Sequence, residues 1–141
     1  VILTPLSIID VSGGDVLHAM KSTDPGFSNF GEAYFSTVKP NVVKAWKRHK
    51  EMTLNMIVPI GAIKFVIYDD REYSKTKGLF QDIVLSKKEY YRLTVPPMLW
   101  MGFQGVAKDV SMLLNIANIE HKQGETDRKI MENISYDWEM K

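Results

Sequence analysis

A lysine and a histidine two residues apart on an extended chain can form a proton-transfer arrangement, and this sequence has one at Lys47 and His49. Side chains alternate across a strand with period two, so both residues share a face. If that face turns inward, desolvation disfavours the ammonium and brings Lys47 toward the range of a general base. His49, with an ordinary pKa of about 6.5, serves as acid or base unaided. The alternative for both is a solvated rim. Lys44, Arg48 and Lys50 complete the densest positive run in the chain. Such a run suits a diphosphate, which takes Arg as a fork and Lys as a point charge. It also describes an ordinary solvated face.

Other residues offer contacts more than chemistry. Trp46 and Trp100 present ring faces for a base or sugar, or fill a core. Asn115 and Asn118 can bond hydroxyls, and Tyr34, Tyr90 and Tyr91 are possible acids. Met52, Met56, Met98, Met101 and Met112 lie in strand-like runs and read as core filler. The chain has no cysteine, which excludes disulfides, thiolate ligands and a thiol nucleophile. His18 and His121 lack ligand spacing to His49, so no metal and no other cofactor is expected. No phosphate-binding glycine loop, nucleophile elbow or dinucleotide fingerprint occurs.

The elements that would position these groups are strands. Candidates run over Ile2–Ile9, Val16–Met20, Gly31–Ser36, Val42–Trp46, Thr53–Val58, Ala62–Tyr68, Phe80–Leu85, Arg92–Val95, Leu99–Phe103 and Ser111–Asn118. Turn chemistry separates them at Ser12-Gly13-Gly14, Asp24-Pro25-Gly26, Pro59-Ile60-Gly61, Asp69-Asp70-Arg71 and Lys77-Gly78. Ser86 with Glu89 has capping-box spacing for one helical turn, and residues 124–133 read as loop or short helix. So many short strands predict an all-β sandwich, jelly roll or barrel. The 141 residues fit one domain spanning the whole chain, and 45% hydrophobic against 25% charged residues argue against disorder. A net charge of +1 without a basic face predicts no nucleic-acid partner. No apolar run is long enough for a membrane span. Val1 to Asp10 lacks the marks of a secretion signal, and a cytoplasmic protein is expected.

From Gly61 to Asn118 the chain resembles the dTDP-4-dehydrorhamnose 3,5-epimerase family of RmlC-like cupins. Asp69-Asp70-Arg71-Glu72-Tyr73-Ser74-Lys75-Thr76-Lys77-Gly78 is similar to that family's Asp-x-Arg-x-x-Ser-Pro-Thr-x-Gly hairpin, with Lys75 in place of the Pro. Leu85-Ser86 and Leu93-Thr94-Val95-Pro96 resemble its Leu-Ser and Leu-Trp-Ile-Pro stretch. Pro96 to Phe103 resembles its Pro-x-Gly-Phe-x-His-Gly-Phe turn. Val43-Lys44-Ala45-Trp46-Lys47 resembles its Val-Leu-Arg-Gly-Leu-His strand, and Tyr136-Asp137-Trp138 its closing segment. The resemblance implies a jelly-roll barrel with the substrate in its mouth and a homodimer that exchanges N-terminal strands.

On this alignment the family's proton-transfer groups are replaced. The strand His falls at Lys47, the turn His at Met101, the acid Tyr at Leu114 and the Lys near Leu54. Methionine and leucine cannot exchange a proton, so the family's double epimerisation is not carried over intact. The expected site therefore has Lys47 and His49 as catalytic residues, with Lys44, Arg48, Trp100, Met101, Leu114 and Asn118 around a nucleotide sugar. Lys44 falls where the family has a barrel-mouth Arg, and Asn118 has a family counterpart. Three functions follow: an epimerase or isomerase of a nucleotide-linked 4-keto-6-deoxy sugar in surface polysaccharide synthesis, a non-catalytic nucleotide-sugar-binding or dimerisation module of the same fold, or an epimerase-like subunit with a different small substrate.

Overall fold

In the computed structural model, which describes residues 1–139, the β-branched and aromatic runs form strands that pair throughout antiparallel. These are β1 (Ile2–Pro5), β2 (Ile8–Ile9), β3 (Val16–Leu17), β4 (Glu32–Val38), β5 (Val43–His49), β6 (Leu54–Ile60), β7 (Ala62–Tyr68), β8 (Phe80–Ser86), β9 (Tyr91–Val95), β10 (Trp100–Gly105), β11 (Ser111–Ala117) and β12 (Thr126–Arg128). One five-stranded sheet runs β1-β9-β6-β11-β4 and a second runs β12-β5-β10-β7-β8, while β2 and β3 form a small ribbon. Two facing antiparallel sheets of this kind make the all-β jelly roll that the strand spacing predicts.

Alternation explains the core. Met56 and Val58 of β6, Ile63, Phe65 and Ile67 of β7, Leu85 of β8, Leu93 of β9 and Leu113 of β11 all point between the sheets and form one buried cluster. Burying each such side chain is worth roughly 1.5–3 kcal/mol. A second cluster covers the outer face of the second sheet, where Trp46, Val66 and Trp100 meet Ile134 and Trp138. The chain beyond β12 folds back over that face. Trp46 Nε1 donates to Met131 O at 3.2 Å, and Tyr136 Oη donates to Asp82 Oδ2 at 2.6 Å.

Several elements differ from the sequence expectation. Ile2–Ile9 divides after Pro5, which has no N–H to extend a ladder; β1 pairs with β9, and β2 pairs with β3. The expected strand Val16–Met20 stops at Leu17 because fully buried Arg92 captures the following carbonyls, Ala19 O and Pro25 O, each at 2.9 Å. Ser86 does cap locally, accepting from the N–H groups of Lys88 and Glu89, but Ser86 N donates back to Glu89 O at 3.2 Å. That bond closes a tight turn between β8 and β9 instead of a helical one. Residues 124–133 hold β12 and a single 3-10 turn, Met131–Asn133. β12 is polar throughout, so it carries no hydrophobic strand signal.

Candidate functional site

A bulge in β5 builds one wall of the site. Met101 of β10 pairs with Lys47, yet Phe103 pairs with Lys44, so two residues, Ala45 and Trp46, face the single Gly102. A Cβ at Gly102 would lie 2.7 Å from Ala45 Cβ and 2.9 Å from the Trp138 ring, so only glycine fits there. Strict alternation would set Lys44 and Lys47 on opposite faces. The extra residue puts Lys44, Lys47 and His49 together on the inner face.

That face borders a cavity of about 420 Å³ between the two sheets. The second sheet contributes Lys44, Lys47, His49, Met101, Phe103 and Arg128, and the first contributes Tyr34, Ser36, Leu54 and Asn115. Leu54, Met101 and Phe103 are its apolar part. The charged lining is almost wholly positive.

His49 is 8% exposed, and its Nδ1 lies 2.7 Å from Glu125 Oε1. Glu125 is itself buried and accepts the backbone N–H of Lys50 at 2.7 Å and of Glu51 at 3.3 Å. Burial alone pushes the Glu125 carboxyl up, but the Lys50, His49 and Glu51 donors outweigh it and hold the group below the usual carboxylate range. Burial likewise holds His49 below its ordinary value, against the Glu125 hydrogen bond that raises it. The pair is therefore a neutral imidazole on a carboxylate. Since Glu125 accepts from Nδ1–H, the unprotonated nitrogen is Nε2, which has no partner among the described residues. A buried, oriented, unpartnered imidazole nitrogen beside a cavity is a general base in form.

Beside it, β12 pairs with β5 so that Arg128 stands directly across from Lys47. Like charges at paired positions repel. Neither side chain has a hydrogen-bond or ion-pair partner among the described residues. Burial holds the Lys47 ammonium below its ordinary pKa, and Arg128 depresses it further. This arrangement suits an anionic guest.

The predicted site residues separate by face. Lys44, Lys47, His49 and Met101 line the cavity. Arg48 and Trp100 do not: alternation turns them to the outer face, where Arg48 donates to Asp127 Oδ2 at 2.8 Å and stacks 4.6 Å from the Trp100 ring centroid. Leu114 also points away from the cavity. On β11 the inward residues are Leu113 and Asn115, and Leu114 lies in a separate shallow hollow with Phe27, Phe30 and Ile116. Lys47, Met101 and Leu114 thus do not converge. Asn118 is structural, accepting Thr53 N–H at 2.8 Å and donating to Ser28 Oγ at 3.2 Å. Glu125 and Arg128 escaped the sequence reading. The alternation Glu125, Thr126, Asp127, Arg128 was their only signal, and it resembles a polar loop.

The fold and the mouth-like cavity define an RmlC-like cupin. Over 97% of its length the chain superposes on the crystal structure of a dTDP sugar isomerase from Desulfovibrio desulfuricans, covering 89% of that chain at a TM-score of 0.93 and 41% identity. A probable low-salt glycan biosynthesis epimerase of Haloferax volcanii is 34% identical over 106 residues, spanning 74% of this chain and 66% of that protein. The dTDP-4-dehydrorhamnose 3,5-epimerase of Bacillus anthracis shares the fold at 18% identity and a TM-score of 0.80, over 92% of this chain and 78% of its own. No protein-family model matches the chain. The chain belongs to the family of that dTDP sugar isomerase, and it shares its fold with the dTDP-4-dehydrorhamnose 3,5-epimerases.

Proposed function

We propose that this protein is an epimerase or isomerase of a nucleotide-linked 4-keto-6-deoxy sugar, working in polysaccharide biosynthesis. The observation that carries this reading is His49, which lines the cavity, is held at Nδ1 by Glu125 and has a buried, unpartnered Nε2. A C–H next to a ketone is the acidic bond of such a sugar. His49 Nε2 takes that proton, the C–H electrons form a C=C bond, and the carbonyl becomes an enolate. Lys44, Lys47 and Arg128 supply positive charge for the enolate oxygen and the diphosphate. Lys47 is thus an electrostatic partner, with His49 the base.

Solvent exchange tests this. In D2O, a 4-keto-6-deoxy sugar linked to dTDP should acquire deuterium at a carbon flanking C4. His49→Gln should slow this on the order of 10²–10⁴-fold. A binding or dimerisation module predicts stable nucleotide-sugar binding with no exchange in either protein, and that result would reject the enzymatic reading.

The reading extends to a single cupin unit acting in the cytoplasm as a homodimer with exchanged N-terminal strands. Its support is the place of β1 at the edge of its sheet, with Ile2, Leu3, Ile8 and Ile9 exposed. No helix among the described residues is long and apolar enough to cross a membrane. Light scattering of the intact chain, and of a chain shortened before Val16, tests the dimer.

A further inference from the structure

Charge is only part of what Lys47 can bring to a ketone. Of the lysines that line the cavity, Lys44 and Lys129 are already engaged. Lys44 Nζ donates to Thr37 O at 3.2 Å, and Lys129 Nζ lies 4.6 Å from the Trp100 ring centroid. Lys47 Nζ has no hydrogen-bond or ion-pair partner among the described residues. We propose that Lys47 is a nucleophile: it condenses with the keto group of the sugar to form an iminium, and His49 takes its proton from the carbon beside that iminium. This deepens the reading of His49 as base and rests on it.

Two conditions make a lysine nucleophilic, an apolar surround and a neighbouring cation, and Lys47 has both. Its ladder partners are Met101 in β10 on one side and Arg128 in β12 on the other. Leu54 lines the cavity from the facing sheet. Burial disfavours the ammonium, and Arg128 adds to that effect. Two carboxylates act the other way with less effect, and both have other partners. Glu125 holds His49 and two backbone N–H groups, and Glu32 accepts the His121 N–H at 3.1 Å. The net direction favours a free amine. Arg128 cannot take this part itself, because a guanidinium does not lose its proton. His49 lies two residues further along β5 on the same face, so nucleophile and base enter one cavity from one strand.

The steps balance. Lys47 releases its ammonium proton to water, and the amine attacks the carbonyl carbon. A C–N bond forms while a proton passes from nitrogen to oxygen. That oxygen takes a further proton from solvent and leaves as water, so an iminium remains. His49 Nε2 then takes the neighbouring C–H proton, and the C–H electrons form a C=C bond. The C=N electrons, which would otherwise load the sugar oxygen as an enolate, settle on the lysine nitrogen as an enamine. A proton returned to carbon from water restores the iminium, and hydrolysis releases the ketone and Lys47. His49 gives its proton to water.

The test is reductive trapping. The intact protein is mixed with a dTDP-linked 4-keto-6-deoxy sugar and cyanoborohydride, which at neutral pH reduces an iminium in preference to a ketone. The protein should gain the mass of the sugar nucleotide less one oxygen, and peptide mapping should place that adduct on Lys47. Lys47→Arg keeps the positive charge and removes the nucleophile, and its melting curve checks the fold. It should lose the adduct and exchange deuterium into the sugar no faster than Lys47→Met. Exchange in Lys47→Arg at the wild-type rate would overturn the assignment. So would wild-type exchange with no trapped adduct, or with the adduct on another lysine; in each of these cases His49 remains the base. Exchange missing from the wild type overturns the His49 reading and Lys47 with it. An adduct on Lys47, with exchange lost in Lys47→Arg, supports both.

Discussion

The two faces of β5 carry cations of the same basic run to opposite ends. On the outer face, Arg48 is satisfied in every direction: Asp127 at 2.8 Å, Asp70 at 3.4 Å, and the Trp100 ring beneath it. On the inner face, Lys47 and Arg128 face each other with no carboxylate paired to them among the described residues. A cation that has found its anion inside the protein contributes to folding. One that has not is held against its own repulsion by the rest of the fold, and a guest can supply the missing charge. The comparison predicts opposite signs: replacing the outer-face cation reduces stability and spares binding, whereas replacing the inner-face cations spares or raises stability and reduces binding.

The largest effect should come from the inner face at Glu125. Glu125→Gln removes the carboxylate that orients His49, and turnover should fall by up to about 10⁴-fold, as when the carboxylate of a Ser-His-Asp triad becomes an amide. The Glu125 hydrogen bond raises the His49 pKa, so its loss should carry the acid limb of the pH–rate profile to lower pH. The stability consequence has a definite direction. His49 is depressed in the folded chain, so an unfolded chain binds its proton first as pH falls below about 6.5. Stability that is complete above that value is lost as pH drops toward the folded pKa. Melting temperatures measured across this window should decline in the wild type, and more weakly in His49→Gln.

A smaller effect belongs to the paired cations. Lys47→Met and Arg128→Met should each weaken dTDP-sugar binding about tenfold, read by calorimetry, a factor that corresponds to about 1.4 kcal/mol. Each should leave the ligand-free melting temperature unchanged or raised, since like charges at paired strand positions cost roughly 0.2–1 kcal/mol. Binding that fails to weaken in higher salt would break the electrostatic half of the comparison.

Much of this was legible in the sequence, and the failures have physical causes. Period-two alternation placed Lys47 and His49 together, and turn residues marked most strand ends. The bulge at Ala45 and Trp46 left no mark on local spacing, because it depends on Gly102 of β10, far along the chain. It decides that Lys44 shares the inner face. Leu114 was misplaced because one residue of register exchanges the two faces of a strand, and Asn115 holds the inward position. Trp100 looked like a stacking surface for a guest, yet it stacks on Arg48 and Lys129 of its own chain. Arg128 sits on a three-residue polar edge strand, with Glu125 immediately before it, and the identity of that strand comes only from pairing with β5.

The smallest predicted effect is the sharpest test of the two-face rule. Arg48→Met removes the ion pairs to Asp127 and Asp70 and the guanidinium over Trp100. The side chains involved are a fifth to a third exposed, so solvent screening limits the loss to about 1 kcal/mol in a chemical denaturation curve. Binding and turnover should not change, although Asp127 lies next to the site residue Arg128 in β12. The backbone holds that strand without Arg48: Lys50 N donates to Glu125 O at 2.9 Å, Trp46 N to Lys129 O at 2.9 Å and Lys129 N to Trp46 O at 3.1 Å. These bonds bracket β12 at both ends. If Arg48→Met weakens nucleotide-sugar binding as much as Lys47→Met does, then the outer ion pairs and not the ladder position Arg128, and the division of β5 into a structural and a functional face fails.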